Sequence, residues 1–271
     1  MFVLLHQLSL PVMFAAVLVI CFVITRIVIG LVRVAIAKGG YVADEALPIR
    51  ESIVGVCATI FGLMVAFSAA GLWADSLAAR SAVQQEADAV ENVLVLSSSL
   101  PADLQTNVRD NLTAYVAQVI SGDWPAMANG EHIESPVFDR SGDILINAIG
   151  LVSRQAGTSA RPAAYQPLVN QLLAVRHARL LRLSASNTGM SWAQWIAVWI
   201  ISTATVAAIA ICNNHVPRMQ ILATHIFVVV VTSAYFVILA HDRPFMGQIS
   251  VQPAAFLSIN GLHPVLSGQR P

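Results

Sequence analysis

Four stretches of the chain, at about 11–37, 51–73, 191–212 and 218–240, are strongly apolar and nearly free of charge. An α-helix needs about 20 predominantly apolar residues to cross the hydrocarbon core of a bilayer. In lipid the backbone must satisfy its own hydrogen bonds, which leaves such a stretch little choice but the helix. The composition agrees, with 56% of the 271 residues hydrophobic and only 11% charged, where soluble domains carry roughly 25% charged residues. The expected fold is therefore an all-α integral membrane protein with four transmembrane helices, arranged two plus two around a polar helical insert. The corresponding division is 1–73 for the first pair, 74–188 for an extramembrane domain, 189–240 for the second pair and 241–271 for a C-terminal tail.

A cleaved signal peptide is the competing reading of the N-terminus, and it requires a basic start and a short apolar core. Residues 1–10 contain no Lys or Arg and the apolar run continues well beyond them, so the first span is read as retained. Four retained spans place both termini on the insert's side. Trp73, Trp192 and Trp195 fall at the insert-facing ends of the second and third spans, where the amphipathic indole favours the membrane interface. Basic residues are nearly balanced between the faces. Arg33, Lys38, Arg50 and Arg218 lie on one, and Arg80, Arg176, Arg179, Arg182 and Arg243 on the other. Only the first span, bare before and basic after, leans towards an external insert.

The net charge is zero, so no nucleic-acid partner is indicated. Cys21, Cys57 and Cys212 all lie within spans, which leaves the insert no cysteine for a disulfide or a metal. There is no glycine-rich phosphate loop, no H-E-x-x-H spacing and no nucleophile elbow. Glu86, Asp88 and Glu91 read as a solvated acidic stretch. The expectation is a protein that is not an enzyme, with no catalytic residues, no metal and no cofactor.

The insert reads as a bundle of helices. Val83, Ala87, Val90 and Leu94 recur at helical spacing, and no breaker separates Gly71 from Ser99, so the second span is expected to continue as one long rod. Ser97 to Ser99 read as a cap ahead of Pro101 in the first turn of the next helix. That helix carries Leu104, Val108, Leu112, Tyr115 and Val119 and is expected to end at Ser121-Gly122. A loop at 129–136 and a helix at 141–155 follow. A last helix starts at Arg161-Pro162 and carries Leu168, Leu172, Val175, Arg179 and Leu183.

Three sets of residues in the spans are candidates for function. On the second span Gly55, Thr59, Gly62, Ala66 and Ala69 form a small stripe, and Ile53, Cys57, Ile60, Met64 and Phe67 a bulky one on the opposite side. Small stripes let helix backbones approach closely. The bulky stripe either packs against core or lipid, or it lines a pore in which Ile60, Met64 and Phe67 form an apolar constriction. Arg26 and Arg33, seven residues apart on the first span, either snorkel to the interface or attract anions. His225 is the one ionisable side chain in the fourth span; it is either a hydrogen-bonded structural group or part of a permeation or proton path.

Three segments carry a family resemblance: "ARSAVQQEADAVENV" at 79–93, "LTAYVAQVISGDWPAMANG" at 112–130 and "HDRPFMGQISVQP" at 241–253. With the spans, they resemble the bacterial bestrophin-like family. Bestrophins are pentameric anion channels with four spans, a helical cytosolic region, and a pore lined by the second span through an apolar neck. The resemblance therefore implies a homo-oligomer, a pentamer, in the bacterial inner membrane, with the bilayer, ions and its own copies as partners. It also implies Ile60, Met64 and Phe67 at the neck and a cytosolic insert. Bestrophins follow the fourth span with an Asn-Pro-Phe-Gly segment and an acidic cluster that holds calcium. Pro244-Phe245 followed by Gly247 is similar with one residue inserted, but 248–261 contains no Asp or Glu, so calcium binding does not carry over.

The expected function is a bestrophin-like, homo-oligomeric, anion-conducting channel. Two alternatives are a small-solute or ion transporter whose path runs inside the protomer near Arg26 and His225, and a non-transporting scaffold or sensor. The Asp242-Arg243-Pro244-Phe245-Gly247 motif reads as structural. Pro244 cannot continue the helix, Asp242 and Arg243 stand where the chain leaves the bilayer, with the 176–182 arginine row or the insert's acids as partners, and Ile249 and Val251 pack back on the insert.

Overall fold

The computed structural model describes residues 8–39 and 47–259, with the backbone alone at 47–51. Expectations that fall on 1–7, 40–46, the Arg50 side chain and 260–271 lie outside it. The elements in order are α1 (Leu10–Gly39), α2 (Leu47–Ser97), α3 (Ala102–Gln118), a π-helical turn (Val119–Asp123), α4 (Trp124–Ala128), α5 (Val137–Thr158), a 3₁₀ turn (Pro162–Tyr165), α6 (Gln166–Ser186), α7 (Trp192–Cys212), α8 (Pro217–His241) and α9 (Ala254–Leu257). The described residues include no strand. Leu10–Lys38, Ser52–Ser97, Trp192–Cys212 and Pro217–His241 are each long and apolar enough to cross a membrane. The chain divides into two compact units, Met1–Ala74 with Gly189–Asp242, and Asp75–Thr188 with Arg243–Pro271.

In the first unit α1, α7 and α8 pack around Met13, Val17, Cys21, Val198, Val228, Val231 and Ile238, joined by Phe61 and Leu72 of α2. A capping box opens α7, with the Ser191 hydroxyl accepting from the Gln194 N–H and the Gln194 side chain accepting from the Ser191 N–H. This satisfies two amide donors that the first turn leaves without helical partners. Pro217 opens α8, where its missing N–H costs nothing. Several polar side chains inside these helices bond the backbone or each other. The Thr205 hydroxyl donates to the Ile201 carbonyl at 2.7 Å, and the Ser202 and Tyr235 hydroxyls are 2.7 Å apart. Trp73 and Trp192 are exposed as an interfacial placement requires, but Trp195 is buried and stacks on Tyr235. The expected belt thus loses one member to the core.

In the second unit the core joins Val83, Ala87, Val90 and Val93 of α2 to Leu104, Val108, Leu112, Tyr115 and Val116 of α3, Leu145, Ala148 and Val152 of α5, and Leu168, Leu172, Val175 and Leu183 of α6. α2 is one uninterrupted helix of 51 residues. Two local expectations are corrected. Ser97, Ser98 and Ser99 do not cap α3; their hydroxyls donate back to the carbonyls of Leu94, Val95 and Leu96. They close α2, and Pro101 occupies the α3 cap with no side-chain bond. Nor does Ser121-Gly122 end the helix. The chain passes through the π turn into α4, with the Gln118 side chain lying over Gly122 in the space a Cβ would take.

The tail after α8 belongs to this second unit. Phe245 and Phe256 are buried and meet Trp124 edge-on at centroid separations of 5.6 Å and 5.9 Å. Replacing Phe245 by Ala removes one flank of this cluster, and such a change in a packed core costs about 3–5 kcal/mol. We expect a clearly lowered midpoint in thermal unfolding of the F245A protein in detergent, followed by circular dichroism. An unchanged midpoint would show that the tail does not contribute to the core.

Candidate functional site

α2 is the span least used inside the protomer. Within its apolar window 11% is buried, against 33% for each of the other three spans. Its packed face consists of Phe61, Ser68 and Leu72, with Phe61 set 5.7 Å from the Phe227 ring. The bulky stripe read from the sequence divides. Ile60 and Phe67 are exposed, at 45% and 68%, while Met64, 40° further round the helix, turns onto the core of the first unit. The small stripe is open as well. A Cβ added at Gly55 or Gly62 would meet nothing within 4 Å. Thus α2 offers two apolar surfaces of different texture, one bulky and one small, that are exposed among the described residues.

The charged candidates separate. Arg33 donates through Nε and Nη2 to the Gln220 Oε1, at 3.0 Å and 2.7 Å. Gln220 is buried and passes the connection on, its Nε2 donating to the Ala210 carbonyl at 2.7 Å. Arg33 therefore fastens α1 to the end of α7 and the start of α8. Arg26, seven residues earlier, is exposed and does not share this bond. His225 packs through its ring. Its ring stacks on Phe22 at 4.4 Å and its Nε2 is buried without a partner.

The motif after α8 finds backbone partners. The Asp242 Oδ1 accepts the Met190 N–H at 2.7 Å, and the Arg243 Nη1 donates to the Asn187 carbonyl at 3.3 Å. Both charges thus hold the short connection between α6 and α7. Pro244 accepts the Val251 N–H at 2.8 Å, and Trp124 donates to the Val251 carbonyl at 3.2 Å. Gly247 has φ of 78°, a left-handed conformation that any side chain would strain. Val251 is buried as expected, whereas Ile249 is exposed.

The most heavily bonded cluster was not singled out in the sequence. Arg182 is fully buried. Its Nε donates to the Glu86 Oε2 at 2.7 Å, and its Nη2 to the Glu86 Oε1 at 3.1 Å and the Asp123 Oδ2 at 3.0 Å. Its Cζ stands 5.5 Å from the Trp124 ring centre. Tyr115 donates to the Glu86 Oε1 at 2.5 Å. Ser141 donates to the Asp123 Oδ2 at 2.9 Å and accepts from the Arg179 Nε at 3.1 Å. Glu86, expected to be solvated, is fully buried. The available signal was its register, three residues after Val83 and four before Val90; Arg182 likewise follows Val175 by seven.

Burial, and then the Glu86 carboxylate, push the Tyr115 phenol well above its usual range. Burial raises the Asp123 carboxyl as well, although Arg182 and Ser141 pull the other way. Its Oδ1 is buried with no partner, an arrangement less costly for a neutral carboxyl than for a charged one. Burial works against the charge of Arg182, but Glu86, with Tyr115 and Asp123, outweighs it and keeps the guanidinium ionised.

Two variants separate these roles. Arg182→Met leaves Glu86 buried and unpaired and should destabilise by about 3–5 kcal/mol. A carboxyl whose value is raised by folding contributes stability below its ordinary value and loses it as the pH rises through the raised one. Wild-type protein should therefore lose stability across that window, while Asp123→Asn, which keeps the Ser141 acceptor, should be stable and flatter with pH. Thermal unfolding from pH 4 to pH 8, a span chosen to bracket an upshifted carboxyl, checks both. Parallel curves for wild type and D123N would overturn the assignment.

The profile of the bestrophin-like domain family matches residues 13–256. No curated protein matches the sequence. The fold is similar to crystal structures of a bacterial bestrophin homologue from Klebsiella pneumoniae. A point mutant of that protein aligns at 14% identity with a TM-score of 0.67, over 94% of this chain and 99% of that one. The form solved by Zn-SAD phasing aligns at 13% identity with a TM-score of 0.66, over 95% and 99%. At such identity the likeness establishes a shared fold, and the family profile, spanning most of the chain, establishes descent: the protein is a membrane protein that belongs to the bestrophin-like family.

Proposed function

We propose that the protein is a homo-oligomeric ion channel of the bacterial inner membrane, a pentamer on the family pattern, conducting anions through a central pore lined by α2. The observation that carries this reading is the uncovered surface of α2. In the proposed arrangement the four spans form two pairs flanking an extramembrane helical insert on the cytosolic side. Its small stripe, Gly55, Thr59 and Gly62, lets neighbouring copies approach closely, and Ile60 and Phe67 face the axis as an apolar neck that gates by dewetting. Met64, turned towards its own core, supports the neck from behind. Arg26 supplies a cation on an exposed face of α1, and Arg33 and His225 serve the packing of the first unit. Asp242, Arg243, Pro244, Phe245 and Gly247 are structural.

A path within the protomer has less support. The cavity among Cys21, Thr25, Ser202 and Tyr235 measures about 20 Å³, room for about one water, and the space of about 620 Å³ beside Arg26 is lined by α1 alone. A ring of subunits encloses a passage that four helices of one chain do not.

The test is purified protein in a planar bilayer under a chloride gradient. Unitary current steps reversing near the chloride potential are expected, and Phe67→Ala should raise conductance or open probability several-fold. Electrical silence at all voltages, combined with solute uptake into proteoliposomes, would transfer the function to a transporter. Currents identical in wild type and F67A would remove Phe67 from the neck.

A further inference from the structure

An open cavity of about 180 Å³ lies between α5 and α6 of the second unit, remote in sequence from the α2 stripes. Asp139 and Asp143 of α5 and Arg176 and Arg179 of α6 stand around it. The two acids are four residues apart and the two arginines three, so each pair occupies one face of its helix. One wall is thus anionic and the other cationic. Arg182 forms ion pairs with Glu86 and Asp123 deeper in the unit. Asp139, Asp143 and Arg176 have formed none across the gap.

Arg179 distinguishes this cleft from a patch of solvated surface charges. It is only 7% exposed. Its Nη2 donates to the Phe138 carbonyl and its Nε to the Ser141 hydroxyl, which locks the guanidinium in place. Neither bond uses Nη1, the remaining pair of donors, and Arg179 lines the cavity. Gly142 lies against the guanidinium, where a Cβ would sit in ordinary van der Waals contact 3.5 Å from Nη1. A fixed, desolvated guanidinium with free donors is suited to a carboxylate.

We propose that this cleft binds a small zwitterion, a free α-amino acid, with its carboxylate on Arg179 and Arg176 and its ammonium on Asp143 and Asp139. A simple anion would face the two carboxylates, and a simple cation the two guanidiniums. A molecule bearing both charges satisfies both walls. The volume equals that of about six waters, which suits a small amino acid, and Leu180 at the rim gives its side chain an apolar surface. The site is independent of the channel reading, because binding is measured without conduction.

The experiment is isothermal titration calorimetry of the full-length protein in detergent with L-alanine, with propionate, which lacks the ammonium, and with ethylamine, which lacks the carboxylate. L-Alanine should bind with a Kd of about 1 mM or tighter, and each single-charge analogue at least about tenfold more weakly. Asp143→Asn and Arg176→Gln should each weaken L-alanine binding by about tenfold or more. Both side chains are exposed, so the unfolding temperature without ligand should not move. No heat from any of the three compounds, equal binding of propionate, or unchanged affinity in both variants would each overturn the proposal.

Discussion

The second unit depends on a guanidinium that has left water entirely. Arg182 joins α2 through Glu86, the π turn through Asp123, and α4 through Trp124 and Met127. Removing a charge from water costs several kcal/mol unless its donors are answered. Here two carboxyl groups and an aromatic face answer them, and Tyr115 and Ser141 share with Arg182 the Glu86 Oε1 and the Asp123 Oδ2. The apolar helix faces around it would pack in several registers. Because these charges are satisfied in one arrangement, the network selects that register.

The first unit solves a different problem. Burying apolar surface gains nothing between helices already in lipid, so its helices are fastened by polar bonds placed at intervals. Arg33 to Gln220 to Ala210 closes one end, and Ser202 with Tyr235 holds the middle. α2 takes part through Phe61, Met64, Val65 and Leu72 and leaves Ile60, Leu63 and Phe67 exposed. Among the described residues, a Cβ at Gly55, Gly62 or Gly71 of this span would meet nothing within 4 Å.

Much of this architecture was legible in the sequence. The spans, the long α2 and the buried stripes of α3 and α6 follow from apolar periodicity, which senses burial directly. Periodicity failed where side chains with two characters were involved. Glu86 and Arg182 sit in register with apolar neighbours, yet their charge argued for solvent. Trp195 was assigned to the interface by residue type, although Tyr235 claimed it for the core. The serines at 97–99 fit a cap equally well before a helix or behind one, and the local sequence carries no sign of which carbonyls they will choose. The candidate site was legible to the level of the α2 stripes; that Met64 turns away from Ile60 and Phe67 depends on the neighbouring helices.

The π turn at Val119–Asp123 has an effect on how the chain tolerates changes of length. One extra residue per turn rotates everything downstream by about 100° relative to an α-helix, and this rotation brings Asp123 and Trp124 together onto the core side. Insertions and deletions are usually absorbed in loops. Here the chain is helical on both sides, yet losing a single residue would rotate the buried face of α4 by about 100° away from the core. The least length-tolerant place in the second unit is thus hidden inside what looks like continuous helix.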